Sequence, residues 1–119
     1  QYTLRFANSN GDAEFERDVT CRRVIETSDE RKKENIEVIP EALSKLDEIR
    51  GVTFDWKEGG DSSGGLIAQD VAKVLPHAVE ERNDGETMTL HYNSVIGLLV
   101  EAVKELSAEV KDLKDQLGA

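Results

Sequence analysis

Apolar and polar residues alternate in two short stretches at the start of the chain. Tyr2, Leu4 and Phe6 alternate with Thr3 and Arg5. After the turn-forming run Asn8-Ser9-Asn10-Gly11-Asp12, Phe15, Arg17, Val19 and Cys21 alternate with Glu14, Glu16, Asp18 and Thr20. A period of two predicts two short strands around a turn. Strands this short and charged bury little by themselves. The pattern therefore places them in a larger β body, upstream or shared with other chains. From Arg22 to Asn35 the pattern breaks. Hydrophobic residues almost vanish between Ile25 and Ile36, while Arg22, Arg23, Arg31, Lys32 and Lys33 supply a third of the basic residues. Such a segment is a boundary or an exposed functional loop.

Helical spacing follows. Pro40 suits a first helical turn, Ala42, Leu43, Leu46 and Ile49 fall on one face, and Gly51 provides a stop. Val52, Phe54 and Trp56 alternate with Thr53, Asp55 and Lys57 and predict a strand. Glu58 to Gly65 reads as a flexible Gly/Ser loop, Leu66-Ile67-Ala68 as a short strand, and Gln69 to Leu75 as a short helix ended by Pro76. Ala78–Glu81 and Thr87–His91 flank Asn83-Asp84-Gly85, the signature of a hairpin turn.

The last segment has the clearest period. With Ile96 at heptad position a, the a sites are Ile96, Val103, Val110 and Leu117, and the d sites are Tyr92, Leu99, Leu106 and Leu113. All are apolar over about three heptads, the lower edge for a coiled coil. Val95, Leu98 and Val100 widen the early part of the stripe beyond a simple seam. That half is expected to pack into a head and the later half to form a narrow seam. Glu109 at g and Lys114 at the following e are placed to pair between parallel helices. An amphipathic helix lying on its own domain fits the same period. No groove for Leu113 and Leu117 is evident elsewhere in the sequence, so self-association is favoured. The heptads do not give the oligomer number. The expected fold is thus α+β: short β strands at the N-terminus, a small mixed α/β head, and a long C-terminal helix in a bundle or coiled coil.

Composition narrows the function classes. The 119 residues carry 15 Lys and Arg against 25 Asp and Glu, a net charge of −10, with 38% hydrophobic residues. One domain's length is implied. So acidic a chain is ill suited to a phosphate backbone or an anionic membrane surface, and neither nucleic acid nor membrane is expected as a partner. No apolar run approaches bilayer length. The start, Gln1-Tyr2-Thr3-Leu4-Arg5, has no signal-peptide pattern and no initiator Met, as expected of a piece of a longer chain. Cys21 is a lone cysteine, no Cys/His cluster has zinc spacing, and His77 and His91 lie far apart. No metal or cofactor is expected. A reducing cytosolic folding compartment fits.

One constellation carries chemistry, the run Ser28-Asp29-Glu30-Arg31-Lys32-Lys33-Glu34-Asn35-Ile36. A serine hydroxyl becomes a nucleophile when a base takes its proton, and a lysine serves if its amine is neutral. That requires lowering a lysine pKa of about 10.4 by burial or neighbouring cations. Composition alone yields about 0.5 such Ser/Lys spacings by chance. On a continuous helix the two side chains diverge by about 140°. The pair works only if Ser28 precedes the element that carries Lys33. A structural reading competes: Thr27 or Ser28 caps a helix, and Thr27-Ser28-Asp29-Glu30 forms a capping box.

These residues belong to a longer ordered series. After Ser28-Asp29-x-Arg31-x-Lys33-x-Asn35-Ile36 come Ala42-Leu43-x-x-Leu46, Gly51-Val52-x-Phe54-x-Trp56, Gly65-Leu66-Ile67-Ala68-Gln69-Asp70-Val71 and Tyr92…Leu98-Leu99-x-x-Ala102-Val103-Lys104-Glu105-Leu106. The series resembles the self-cleaving C-terminal intramolecular chaperone domain of bacteriophage tailspikes, endosialidases and tail fibres. A similar domain occurs in the myelin regulatory factor of animals. The resemblance covers residues 24 to 117.

The resemblance implies a homotrimer that templates folding of an upstream fibre of the same chain, then cuts itself off before the motif serine. Residues 1–23 would be the β-stranded end of that fibre. Residues 24–119 would be the chaperone and auto-protease, with its helix over 93–117. The scissile bond would be Thr27–Ser28, with Ser28 as nucleophile, Lys33 as general base, and Asp29, Arg31 and Asn35 in support. Assembly would take place in the cytoplasm of the bacterial host, and the released chaperone would be absent from the mature virion. The chief alternative is a non-catalytic trimerisation cap whose Ser28 starts a helix. A third reading is a release domain of a membrane-tethered transcription factor.

Overall fold

A computed structural model describes residues 11–82 and 84–118. The expected strand over Tyr2–Phe6 lies outside these residues. The chain divides into two units, one ending at Ile36 and one running from Glu37 to Ala119.

In the first unit, the only helix among the described residues is a 3₁₀ turn, Glu30–Lys32. No strand forms between residues 11 and 29, so the alternation at Phe15–Cys21 does not become a strand in the single chain. A strand exists only with a neighbour that completes its ladder, and no other strand of the described chain provides one. Residues 11–38 are exposed throughout, including the apolar Val19, Val24, Ile25, Ile36 and Val38.

The second unit begins with helix α1, Ala42–Asp47. Strands β1 (Val52–Asp55) and β2 (Ser62–Gly65) follow, paired antiparallel with Val52 opposite Gly65 and Asp55 opposite Ser62. Half of the expected Gly/Ser loop is therefore a strand. Ser62 and Ser63 lie opposite Asp55 and Phe54, and the Ser62 hydroxyl donates to Asp55 Oδ1 at 2.6 Å. Backbone pairing overrides the weak strand propensity of Ser and Gly here. Leu66-Ile67-Ala68 is not a strand. Ile67 is the N-cap of helix α2 (Ala68–Val74), whose carbonyl accepts from the Asp70 and Val71 amides. A 3₁₀ turn, Pro76–Ala78, then leads into β3 (Val79–Glu81), which pairs antiparallel with β4 (Met88–Leu90). The last helix, α3, runs from Tyr92 to Gly118, about 40 Å at 1.5 Å per residue.

The core is small. Ala42, Val71, Leu75, Ala78, Val95, Leu98 and Ala102 are buried, and Leu43, Leu46, Ile49, Leu66 and Leu90 pack against them. Helix α3 thus presents Val95, Leu98 and Ala102 to its own head, at helical spacing. The a and d residues lie one position along the helix, rotated by about 100°. All eight are exposed, from Val110 at 42% to Leu117 at 88%. The reading of an amphipathic helix on its own head therefore holds for one face, and the a/d stripe lies exposed on another. No helix among the described residues is long and apolar enough to cross a membrane.

Candidate active site

The Ser28 segment is built by a local turn. Asp29 is extended (φ −68°, ψ 129°), and its Oδ1 accepts from the Arg31 amide at 2.9 Å. This closes the N-terminus of the 3₁₀ turn, a role short polar side chains fill well. The Lys32 amide donates to the Asp29 carbonyl and the Lys33 amide to the Glu30 carbonyl, each at 3.0 Å. Lys33 then leaves the turn in extended conformation (φ −123°, ψ 151°). Ser28 precedes the turn and Lys33 follows it, as the pair requires. Lys33 Nζ donates to Ser28 Oγ at 2.7 Å.

The competing reading, a capping box at Thr27–Glu30, does not form. Asp29, not Thr27 or Ser28, is the cap. A carboxylate one residue nearer the turn takes the amide, which leaves the Ser28 hydroxyl to Lys33.

Arg31 folds back over Asp29. Its Nε donates to Oδ1 at 3.1 Å and one terminal nitrogen to Oδ2 at 2.8 Å, a two-pronged pair. The guanidinium, and then the Arg31 amide, hold the Asp29 carboxyl below the usual carboxylate range. Arg31 is therefore engaged at two of its nitrogens. Asn35 turns the chain with φ 55°, a left-handed conformation that Asn tolerates.

In the second unit one residue with no assigned role stands out. Glu105 is a half-buried acid on α3, one heptad after Leu98 on the face that packs into the head. Its carboxylate accepts from the Ala42 and Leu43 amides. A charged residue on an apolar helix face was the sequence signal for it. Among the described residues no group of three His, Cys, Asp or Glu is placed to hold a metal ion.

Residues 28–80 match the peptidase S74 family, described as chaperone of endosialidase, and the match begins at Ser28. This part of the chain belongs to that family. The chain is also 38% identical over 120 residues to the long tail fiber protein Gp37 of Enterobacteria phage K3, covering 94% of the chain and 10% of that protein. It is 38% identical to Gp37 of Enterobacteria phage T2 over 94% of the chain and 9% of that protein. With Gp37 of Escherichia phage AR1 it shares 41% identity over 100 residues, 76% of the chain and 9% of that protein. The chain thus spans about a tenth of the length of these relatives.

Proposed function

We propose that the chain is the intramolecular chaperone of a phage tail fibre, and that it trimerises, templates the fibre and then releases itself by cutting Thr27–Ser28. The observation that carries this reading is the 2.7 Å hydrogen bond between Lys33 Nζ and Ser28 Oγ, at the residue where the family match begins. The exposed a/d stripe of α3 supports the trimer: burying one Leu or Val there contributes roughly 2 kcal/mol. Threading three chains into one β fibre has a high entropic cost before long-range contacts form. A helix that associates early lowers that cost by raising the effective concentration of the strands. The alternation at Phe15–Cys21, which is not a strand in the single chain, fits a segment completed by other copies.

Cleavage is an intramolecular acyl shift. The bond as drawn has the amine donating to the hydroxyl. For attack its sense reverses, and a neutral Lys33 amine accepts the Oγ–H proton. Oγ adds to the Thr27 carbonyl carbon, and the tetrahedral oxyanion needs nearby N–H donors. The Thr27–Ser28 C–N bond then breaks as the Lys33 ammonium returns its proton to the departing amine. An ester now joins Thr27 to Ser28 Oγ. Water hydrolyses it, leaving a Thr27 carboxylate and a free Ser28 hydroxyl. Ser28 and Lys33 are both exposed in the single chain. Burial disfavours a charged amine, so an assembled trimer that covers this segment favours the reactive form. Cutting therefore waits for assembly. Removing the clamp afterwards leaves a fibre that persists because it unfolds slowly.

The test is the uncut chain bearing Ser28→Ala or Lys33→Ala, followed by mass spectrometry. Wild-type protein yields fragments ending at Thr27 and beginning at Ser28, and both variants stay whole. Cleavage of either variant at the normal rate overturns the assignment.

A further inference from the structure

We propose that Asp29 and Arg31 act together as a positioning clamp for the cut: Asp29 sets the turn that joins Ser28 to Lys33, and Arg31 keeps the Asp29 carboxylate from drawing Lys33 away. This inference rests on the Ser28/Lys33 reading and concerns how that pair is held.

Two observations carry it. The first is the turn. Ser28 and Lys33 meet at 2.7 Å only because a 3₁₀ turn of three residues lies between them, and the Asp29 side chain closes its N-terminus. The second is the two-pronged pair by which Arg31 holds the Asp29 carboxylate. Asp29 stands four residues before Lys33, at the opposite end of this one turn. A free carboxylate there is a stronger partner for an ammonium than a neutral hydroxyl. It pulls the amine off Ser28 and favours its protonated form, both of which suppress a general base. Arg31 prevents this by occupying both Asp29 oxygens. The other charged groups along the segment are Glu26, Glu30, Lys32 and Glu34. Of the acids, Asp29 is the one whose carboxylate closes the turn.

The clamp makes separable predictions for cleavage followed over a pH series in the uncut chain, with trimer formation checked by sizing. Arg31→Gln frees the carboxylate, so the rate at neutral pH falls about ten-fold and the pH of half-maximal rate rises by about one unit, the lower end of the effect of a nearby opposite charge. Asp29→Asn keeps an amide-accepting oxygen but weakens the cap by removing its charge, so cleavage slows about three-fold with its pH midpoint in place. The double variant Asp29→Asn/Arg31→Gln returns to that same level, because no carboxylate is left to compete. Asp29→Ala removes the cap and slows cleavage at every pH without moving the midpoint. A purely structural role for Arg31 would leave the midpoint in place and give no rescue. An Arg31→Gln protein with wild-type rate and pH profile overturns the clamp, as does a double variant no faster than Arg31→Gln. Ser28→Ala and Lys33→Ala, run beside these, separate the two ideas: if they still cut, the dyad itself is wrong.

Discussion

Glu105 caps a helix that has no cap of its own. Its Oε2 accepts from the Ala42 amide at 2.7 Å and its Oε1 from the Leu43 amide at 3.2 Å, from 63 and 62 residues away. The residue at the N-cap position of α1, Glu41, sits in a left-handed conformation (φ 52°, ψ 45°) and makes no side-chain cap bond. The first amides of a helix carry a partial positive charge and need acceptors. A carboxylate from α3 supplies them and ties the long helix to the start of the head.

Glu105→Ala is expected to destabilise the head by about 1–3 kcal/mol, the cost of leaving partly buried amides without an acceptor. Glu105→Gln should lose less, since one oxygen remains. Chemical denaturation of the two variants measures both, and equal stability to wild type would refute the coupling.

Gly65 and Tyr92 form a second long-range constraint. The Tyr92 hydroxyl accepts from the Leu66 amide at 3.2 Å, and a Cβ on Gly65 would stand 2.5 Å from that hydroxyl. Gly65→Ala is expected to cost about 1–3 kcal/mol by overpacking. Tyr92→Phe removes the oxygen in the way, so the double variant should be less destabilised than the sum of the single changes. Thermal unfolding of the four proteins completes the cycle, and strict additivity would contradict it.

If the chain assembles through its exposed seam as proposed, the two faces of α3 separate assembly from folding. Leu113→Glu, on the exposed seam, should reduce the protein to monomers in sizing experiments while the head keeps its helical signal. Leu98→Ala, at a fully buried position, should cost about 2–5 kcal/mol and unfold the head. Wild-type melting should also depend on protein concentration, as expected when association stabilises the fold. An unaltered oligomer in Leu113→Glu would remove the seam from the account.

The β3–β4 turn gives a pH dependence. The Thr87 hydroxyl, together with the amides of Thr87 and Glu86, pushes the Asp84 carboxyl down to about 2. A folded-state pKa below the unfolded value of about 3.9 stabilises the turn above pH 4, and this contribution is lost as the pH falls toward 2. An NMR titration of the Asp84 side chain should show the low midpoint, and Asp84→Ala should abolish this part of the acid dependence. A midpoint near 4 would dismiss the assignment.

Periodicity made much of this readable in advance. The helix at Tyr92–Gly118 follows from its heptads and the β3–β4 hairpin from Asp84-Gly85, whereas α1 ends at Asp47, ahead of the stop expected at Gly51. The Ser28/Lys33 pair was visible as a spacing and as part of an ordered motif. Its geometry was not, because whether residues five apart meet or diverge depends on the turn between them. The strand at Ser62–Gly65 was hidden for a related reason: Ser and Gly carry no β signal, and only pairing with Val52–Asp55 makes them one.

What the sequence alone determined are the local quantities, since a repeat, a turn or an acidic balance depends only on neighbouring residues. It set the long helix, the apolar stripe along it, and the five-residue spacing of a hydroxyl and an amine. Tertiary structure decided which face of that helix the head covers, that Glu105 rather than a neighbour caps α1, and why position 65 has no room for a side chain. Each of these joins residues far apart in the chain, and such contacts are chosen by the packing of the whole unit.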